Sequence, residues 1–190
     1  MMRKLFAALL GISLCACAAP ASGKPLTITS PVPIASTSAD MSGYEWIGEE
    51  TGDFQSISWG EMFKMVEEGG SGIVYIGKTD CDFCQRAIPI LNEAILETGV
   101  TAYVVDLHEG SIEEYYKAED LLSDTFDKDS SGQPVFYVPE VFGIKAGVFT
   151  GSQISLVDNF IPESDEDQLS QEQHQRLREK YIQIIEKTAD

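Results

Sequence analysis

The sequence predicts an α/β domain with a mixed central sheet, on three observations. Ile73-Val74-Tyr75-Ile76 is a short unbroken apolar run, the pattern of a strand covered on both faces. It leads into Cys81-Asp82-Phe83-Cys84, which opens a helical stripe of Ala87, Ile88, Leu91, Ala94 and Ile95. The segments around this pair continue in alternation, as strand, helix, strand, helix, strand, hairpin and helix, the order expected of helices packed on a sheet.

Taken in chain order, residues 1–16 read as a lipoprotein-type signal peptide. Met1-Met2-Arg3-Lys4 is basic, and residues 5–14 are apolar but too short to span a bilayer. Leu14-Cys15-Ala16-Cys17 resembles a bacterial lipobox, which implies cleavage before Cys17 and a diacylglycerol on its sulfur. Two acyl chains suffice for stable anchoring. The other reading is an ordinary signal cut at Ala16-Cys17-Ala18, releasing a secreted soluble protein. Residues 17–48 are expected to be a flexible tether, because Ala, Ser, Thr and Pro dominate and there is little charge or periodicity.

Residues 49–190 form the expected domain, with order beginning near Tyr44. Phe54-Gln55-Ser56-Ile57 alternates like a half-buried strand, and Ser58-Trp59-Gly60-Glu61 reads as a capping box opening the next helix. Gly69-Gly70-Ser71-Gly72 ends that helix before the apolar run. The following helix is expected over residues 81–98 with a kink at Pro89, then a strand over 102–105 and an acidic helix from 111 to about 123. Residues 140–144 and 148–150 flank Lys145-Ala146-Gly147 as a hairpin. An amphipathic helix over 168–187 closes the chain, with Leu169, Leu177, Tyr181, Ile184 and Ile185 inward.

Composition excludes some partners. A formal charge of −18 opposes contact with phosphate backbones, so nucleic acid is not expected. The Cys pair alone leaves dithiol exchange, half a zinc site and a structural disulfide open. No second Cys pair follows, and His108 and His174 stand isolated, which weighs against metal; a haem attachment site needs His where Gln85 stands. Asp127, Asp129, Ser131 and Gly132 begin like a calcium loop, but its twelfth position is Val138 rather than Glu, leaving a solvated polar loop.

Cys81-Asp82-Phe83-Cys84 followed by Pro89-Ile90-Leu91 and Glu93 resembles the active-site helix of thioredoxins. Val138-Pro139-Glu140-Val141-Phe142 with Lys145-Ala146-Gly147-Val148 resembles their cis-proline loop and terminal hairpin. The resemblance covers residues 52–190 and is nearest to the thioredoxin-like lipoproteins and bacteriocin-transport accessory proteins of Gram-positive bacteria. It implies a thioredoxin-like fold, a helical insertion over 107–135 and a redox-active pair Cys81 and Cys84 with no cofactor or metal. By that resemblance Cys81, activated by a helix N-terminus, is the nucleophile and Cys84 resolves the mixed disulfide. Pro139 is expected cis, with Val138 offering its backbone to an extended substrate.

The implied activity is extracytoplasmic exchange with disulfides of exported proteins or peptides, in the reducing direction, with a membrane electron donor or transporter as further partner. The alternative is an accessory or binding module whose redox activity is incidental. Two departures from the thioredoxin pattern bear on mechanism. Tyr75 stands six residues before Cys81, where thioredoxins carry a buried Asp, and Asp106 occupies the place of a Lys. Asp106 is therefore expected to take over proton exchange with Cys84. Asp80 and Asp82 flank Cys81 and disfavour its thiolate, which weighs against a strongly oxidising site.

Overall fold

A computed structural model describes residues 25–190 apart from 124, 126, 129, 130, 158, 159 and 165. The expected signal peptide and the lipidation expected at Cys17 lie outside the described residues. In order, the elements are β1 (Thr37–Ser38), β2 (Phe54–Ser56), α1 (Trp59–Glu67), β3 (Gly72–Gly77), α2 (Asp82–Thr98), β4 (Ala102–Asp106) and a 3-10 turn (Leu107–Glu109). They continue with α3 (Ile112–Leu121), β5 (Asp127–Lys128), β6 (Pro134–Val135), β7 (Glu140–Lys145), β8 (Val148–Ile154) and α4 (Gln171–Thr188).

The main sheet runs β1-β2-β4-β3-β7-β8. β2, β4 and β3 are parallel; β7 and β8 are antiparallel to their neighbours, as is β1 to β2. This is the expected mixed sheet, and the order of elements makes it a thioredoxin-like fold. The crossover through α1 moves two places along the sheet and that through α2 moves one place back, so crossovers of one hand put the two helices on opposite faces.

Each face has its own core, and β3 supplies both. Ile73 and Tyr75 join α2 and α4 in one apolar cluster, while Val74 and Ile76 join α1 and α3 in the other. All six residues of β3 are buried, which is why an unbroken apolar run was needed there. α2 runs through Pro89 as one helix and stops at Gly99, whose φ of 69° suits a residue without Cβ. On α4, Leu177, Tyr181, Ile184 and Ile185 are buried as expected, whereas Leu169 precedes the helix and is only partly covered.

Three expectations need correction. Residues 25–48 are not a free tether. Leu26 N–H donates to Thr98 O at 2.8 Å, Ser71 N–H to Ser30 Oγ at 3.1 Å, Lys64 to Pro33 O at 2.8 Å and Ala39 N–H to Phe54 O at 3.0 Å. β1 covers the edge of β2, and Met41 and Tyr44 are buried. Leu26, Ile28, Ala39 and Ile47 pack against one core and Ile34 against the other, and composition hid this because these side chains are scattered among Ser, Thr and Pro.

The capping box at α1 is half made. Ser58 Oγ accepts from Glu61 N–H at 3.2 Å, but the Glu61 carboxylate turns away to accept from Ala35 N–H of the strap at 3.0 Å. Complete boxes form instead at Ser111 with Glu114 and at Ser170 with Gln173. The polar loop after residue 126 contains a two-strand ribbon, β5 with β6.

If the strap is held as described, amide exchange at Leu26, Ala39 and Ser71 is slowed by roughly a hundredfold or more relative to an unstructured chain. Exchange at the unstructured rate at Leu26 and Ala39 restores the tether.

Candidate active site

β3 ends at Gly77 and the chain turns through Lys78, Thr79 and Asp80 into α2, whose N-cap is Cys81. Its side chain takes the capping role usual for Ser or Asp: Cys81 Sγ accepts the N–H of Cys84 at 3.2 Å. A sulfur in that position faces unsatisfied N–H groups and the positive end of the helix dipole. Cys81 is half-buried and Cys84 wholly buried, and both thiols are free.

The two sulfurs are driven apart in acidity. Cys84 donates its S–H to Cys81, and with the N–H groups of Cys84 and Phe83 and the Lys78 charge this outweighs burial, lowering the Cys81 thiol to about 7. Cys84 is pushed far up by the same bond, by burial and by the Cys81 charge. One sulfur is thus an accessible thiolate near neutrality and the other a buried thiol. The arrangement is that of an attacking and a resolving cysteine.

Neither Asp80 nor Asp82 is among the groups acting on the Cys81 thiol. Asp80 lies 3.3 Å from Lys78 Nζ and 3.3 Å from His108 Nε2, so the lysine charge faces its own. The Val138–Pro139 bond is cis, and Val138 O lies 4.0 Å from Cys81 Sγ. Phe83, one residue before Cys84, packs edge-on against Phe160 at 6.5 Å, while Tyr137 and Ile161 are exposed. Cys81 therefore shares one side of the core with Phe83, Phe160 and Val138, with the Val138 carbonyl beside its sulfur.

Asp106 is placed differently from the expectation. Its carboxylate accepts from His108 N–H at 2.8 Å as the cap of the 3-10 turn, lies 3.4 Å from His108 Nδ1, and is 42% exposed. Its side chain has no hydrogen bond to Cys84 among the described residues. A strand-end Asp two residues before a free N–H caps locally in preference to reaching under the sheet. Tyr75 is buried in the same cluster as Cys84, and its hydroxyl favours the charged form of that sulfur.

Two residues of the site were not singled out from the sequence. Tyr44, from the strap, meets the Tyr75 hydroxyl at 3.2 Å. Arg86, buried on α2, donates to Asp167 O at 2.6 Å, Asp82 O at 2.7 Å and Ser164 O at 3.2 Å, and lies between the rings of Trp46 and Phe160. It ties the 160–167 segment to the first turns of α2. An Arg one turn after a helix-opening motif was the available signal, but without the carbonyls that receive it the charge reads as solvent-facing. Among the described residues no cluster of three His, Cys, Asp or Glu is placed to hold a metal, and no helix is long and apolar enough to cross a membrane.

Alkylation of reduced protein by iodoacetamide is expected to follow a midpoint near 7 for Cys81, against an ordinary thiol value of 9.0. Because the folded value is lowered, the thiolate persists above that midpoint and is lost as pH falls through it; a midpoint near 9 contradicts the assignment. Tyr181 is wholly buried with a hydroxyl that has no partner among the described residues. Tyr181→Phe is accordingly expected to leave stability unchanged or raise it by about 1–2 kcal/mol in urea unfolding. A loss of that size reveals a hydrogen bond.

No family model and no curated protein matches the chain. Among solved structures, thioredoxin O1 from Arabidopsis thaliana in the oxidised state aligns with 18% identity and a TM-score of 0.37, over 56% of this chain and 86% of that one. At that level the likeness carries no argument about activity. The fold is established by the strand order, the two-faced core and the register of β3 with β4 and β7.

Proposed function

We propose that the protein is a thiol-disulfide oxidoreductase that reduces disulfides of exported proteins outside the cytoplasm, tethered by a lipid on Cys17. The observation that carries this reading is the asymmetry of the two sulfurs. Cys81 is exposed enough to be reached and is activated to about 7; Cys84 is buried within reach of it.

The chemistry follows from that asymmetry. The Cys81 thiolate attacks one sulfur of a client disulfide, forming a mixed disulfide and expelling the first client thiolate. Cys84 then attacks Cys81 Sγ, closing the intramolecular disulfide and releasing the second client thiol. Two electrons pass from the protein to the client. An extended client segment lies beside Val138, whose carbonyl faces the reacting sulfur.

A reducing direction is supported by the Cys81 value. Strongly oxidising dithiols gain their potential from a nucleophile whose thiolate is stabilised to about 3.5, and reducing ones lie near 7. The basic and apolar start of the chain and Leu14-Cys15-Ala16-Cys17 support export and anchoring. A membrane electron donor then has to restore the dithiol.

Reduction of insulin by the purified mature chain, residues 17–190, with dithiothreitol as the electron source tests the activity: turnover above the dithiothreitol background is expected, and Cys81→Ser is expected to abolish it. Equilibration against glutathione tests the direction. A potential as high as roughly −120 mV overturns the reducing assignment, and absence of any insulin reduction favours a binding module.

A further inference from the structure

Behind the two cysteines lies a buried pair of phenols, and its placement is unusual for a side chain that starts in mid-strand. Tyr75 is fully buried, and its ring is folded along β3 toward the strand's C-terminal end. A Cβ built on Gly77 would lie 2.1 Å from the Tyr75 hydroxyl oxygen and 2.4 Å from Cζ, so the ring fills the space any other residue at 77 would claim. This brings the hydroxyl to the point where β3 passes into the cysteine turn. There it meets the Tyr44 hydroxyl at 3.2 Å, with the rings edge to face at 6.3 Å.

Tyr75, Tyr44 and Cys84 are buried together in one cluster, and the Tyr75 hydroxyl and the Lys78 backbone N–H are the neighbours that favour the charged form of the Cys84 sulfur. Burial pushes both phenols well above the ordinary tyrosine range. They are therefore neutral donors over the whole range in which thiols exchange, and neither serves as a base.

We propose that the Tyr75 hydroxyl, oriented by Tyr44 and aided by the Lys78 N–H, stabilises the Cys84 thiolate at the moment Cys84 resolves the mixed disulfide. This rests on the exchange activity proposed above and gives that site a catalytic residue at its buried sulfur. Timing comes from the mixed disulfide itself. In the free dithiol, Cys84 is held protonated first by its bond to Cys81, then by burial and the Cys81 charge. Once Cys81 is bonded to a client sulfur, that bond and that charge are gone. Burial alone then opposes ionisation, and the two donors favour it.

The Cys84 proton passes to water, Cys84 Sγ forms a bond to Cys81 Sγ, the bond from Cys81 to the client sulfur breaks, and the released client thiolate takes a proton from water. The protein dithiol is oxidised and the client disulfide reduced.

An aromatic disulfide such as 5,5′-dithiobis(2-nitrobenzoate) reads both steps, because one coloured thiolate is released when Cys81 attacks and a second when Cys84 resolves. Stopped-flow release from the reduced mature chain, residues 17–190, is expected to be biphasic. In Tyr75→Phe the second release is expected to slow by about ten- to a hundredfold, with its pH midpoint moved up and the Cys81 adduct accumulating. The first release keeps its pH midpoint, since Tyr75 is not among the groups acting on Cys81.

Tyr44→Phe, which leaves Tyr75 intact, moves the second release in the same direction by a smaller factor and separates the role from a packing defect at Tyr75. If both variants resolve at the wild-type rate and midpoint, the role of Tyr75 is overturned while exchange stands. A wild-type chain that releases no coloured thiolate overturns the exchange reading itself.

Discussion

One hydrogen bond organises the site: the backbone N–H of Cys84 donating to the sulfur of Cys81 at the N-cap of α2, with the Cys84 thiol favouring charge on the same sulfur. It separates two chemically identical groups into an acidic, reachable sulfur and a buried one that stays protonated. The bond exists only because the motif begins a helix. In extended chain, residues three apart point their side chains in different directions, whereas one helical turn stacks them and aims free N–H groups at the first.

The rest of the fold holds that turn in place. β3 is buried on both faces, so its C-terminal end cannot drift, and it is registered against β4 on one side and β7 on the other. β7 begins one residue after Pro139, which fixes Val138 beside Cys81. Gln85 clasps the strap to the same turn by accepting from Glu45 N–H at 2.9 Å and donating to Gly43 O at 2.8 Å and Thr79 O at 2.6 Å. The strap is thereby part of the site rather than a spacer, since it carries Tyr44 to the hydroxyl of Tyr75. The same geometry makes Gly77 matter: its missing Cβ is the room the Tyr75 ring occupies.

What the residues alone disclosed was the part of the fold written in strong periodicity. The run at Ile73, the stripe of α2, the hairpin around Ala146 and the inward face of α4 all declare themselves by burial patterns that only one arrangement satisfies. Cys81 and Cys84 were legible as a residue pair with few structural uses at that spacing, and Pro139 through the resemblance of its loop to the cis-proline loop of thioredoxins. Features set by long-range partners were not. Glu61 follows the local rule for a capping box until Ala35, distant in sequence, offers it an N–H. Asp106 lies opposite Gly77 in the ladder, near enough to suggest a reach to Cys84, yet its nearest donor is two residues away. In strap residues 25–48 the alternation of Leu26, Ile28, Val32 and Ile34 was a local signal of an extended docked segment, but Pro31 and Pro33 interrupt it, and its partners on the two cores lie far away in sequence.

The account stands on Cys81 and Cys84 having unequal and ordered roles, and trapping the intermediate measures this most directly. Cys84→Ser, mixed with an oxidised peptide disulfide and examined by intact mass, is expected to accumulate one peptide covalently bound at Cys81, while Cys81→Ser accumulates none. A peptide adduct forming equally at Cys84, or no adduct on Cys81 when Cys84 is removed, contradicts it.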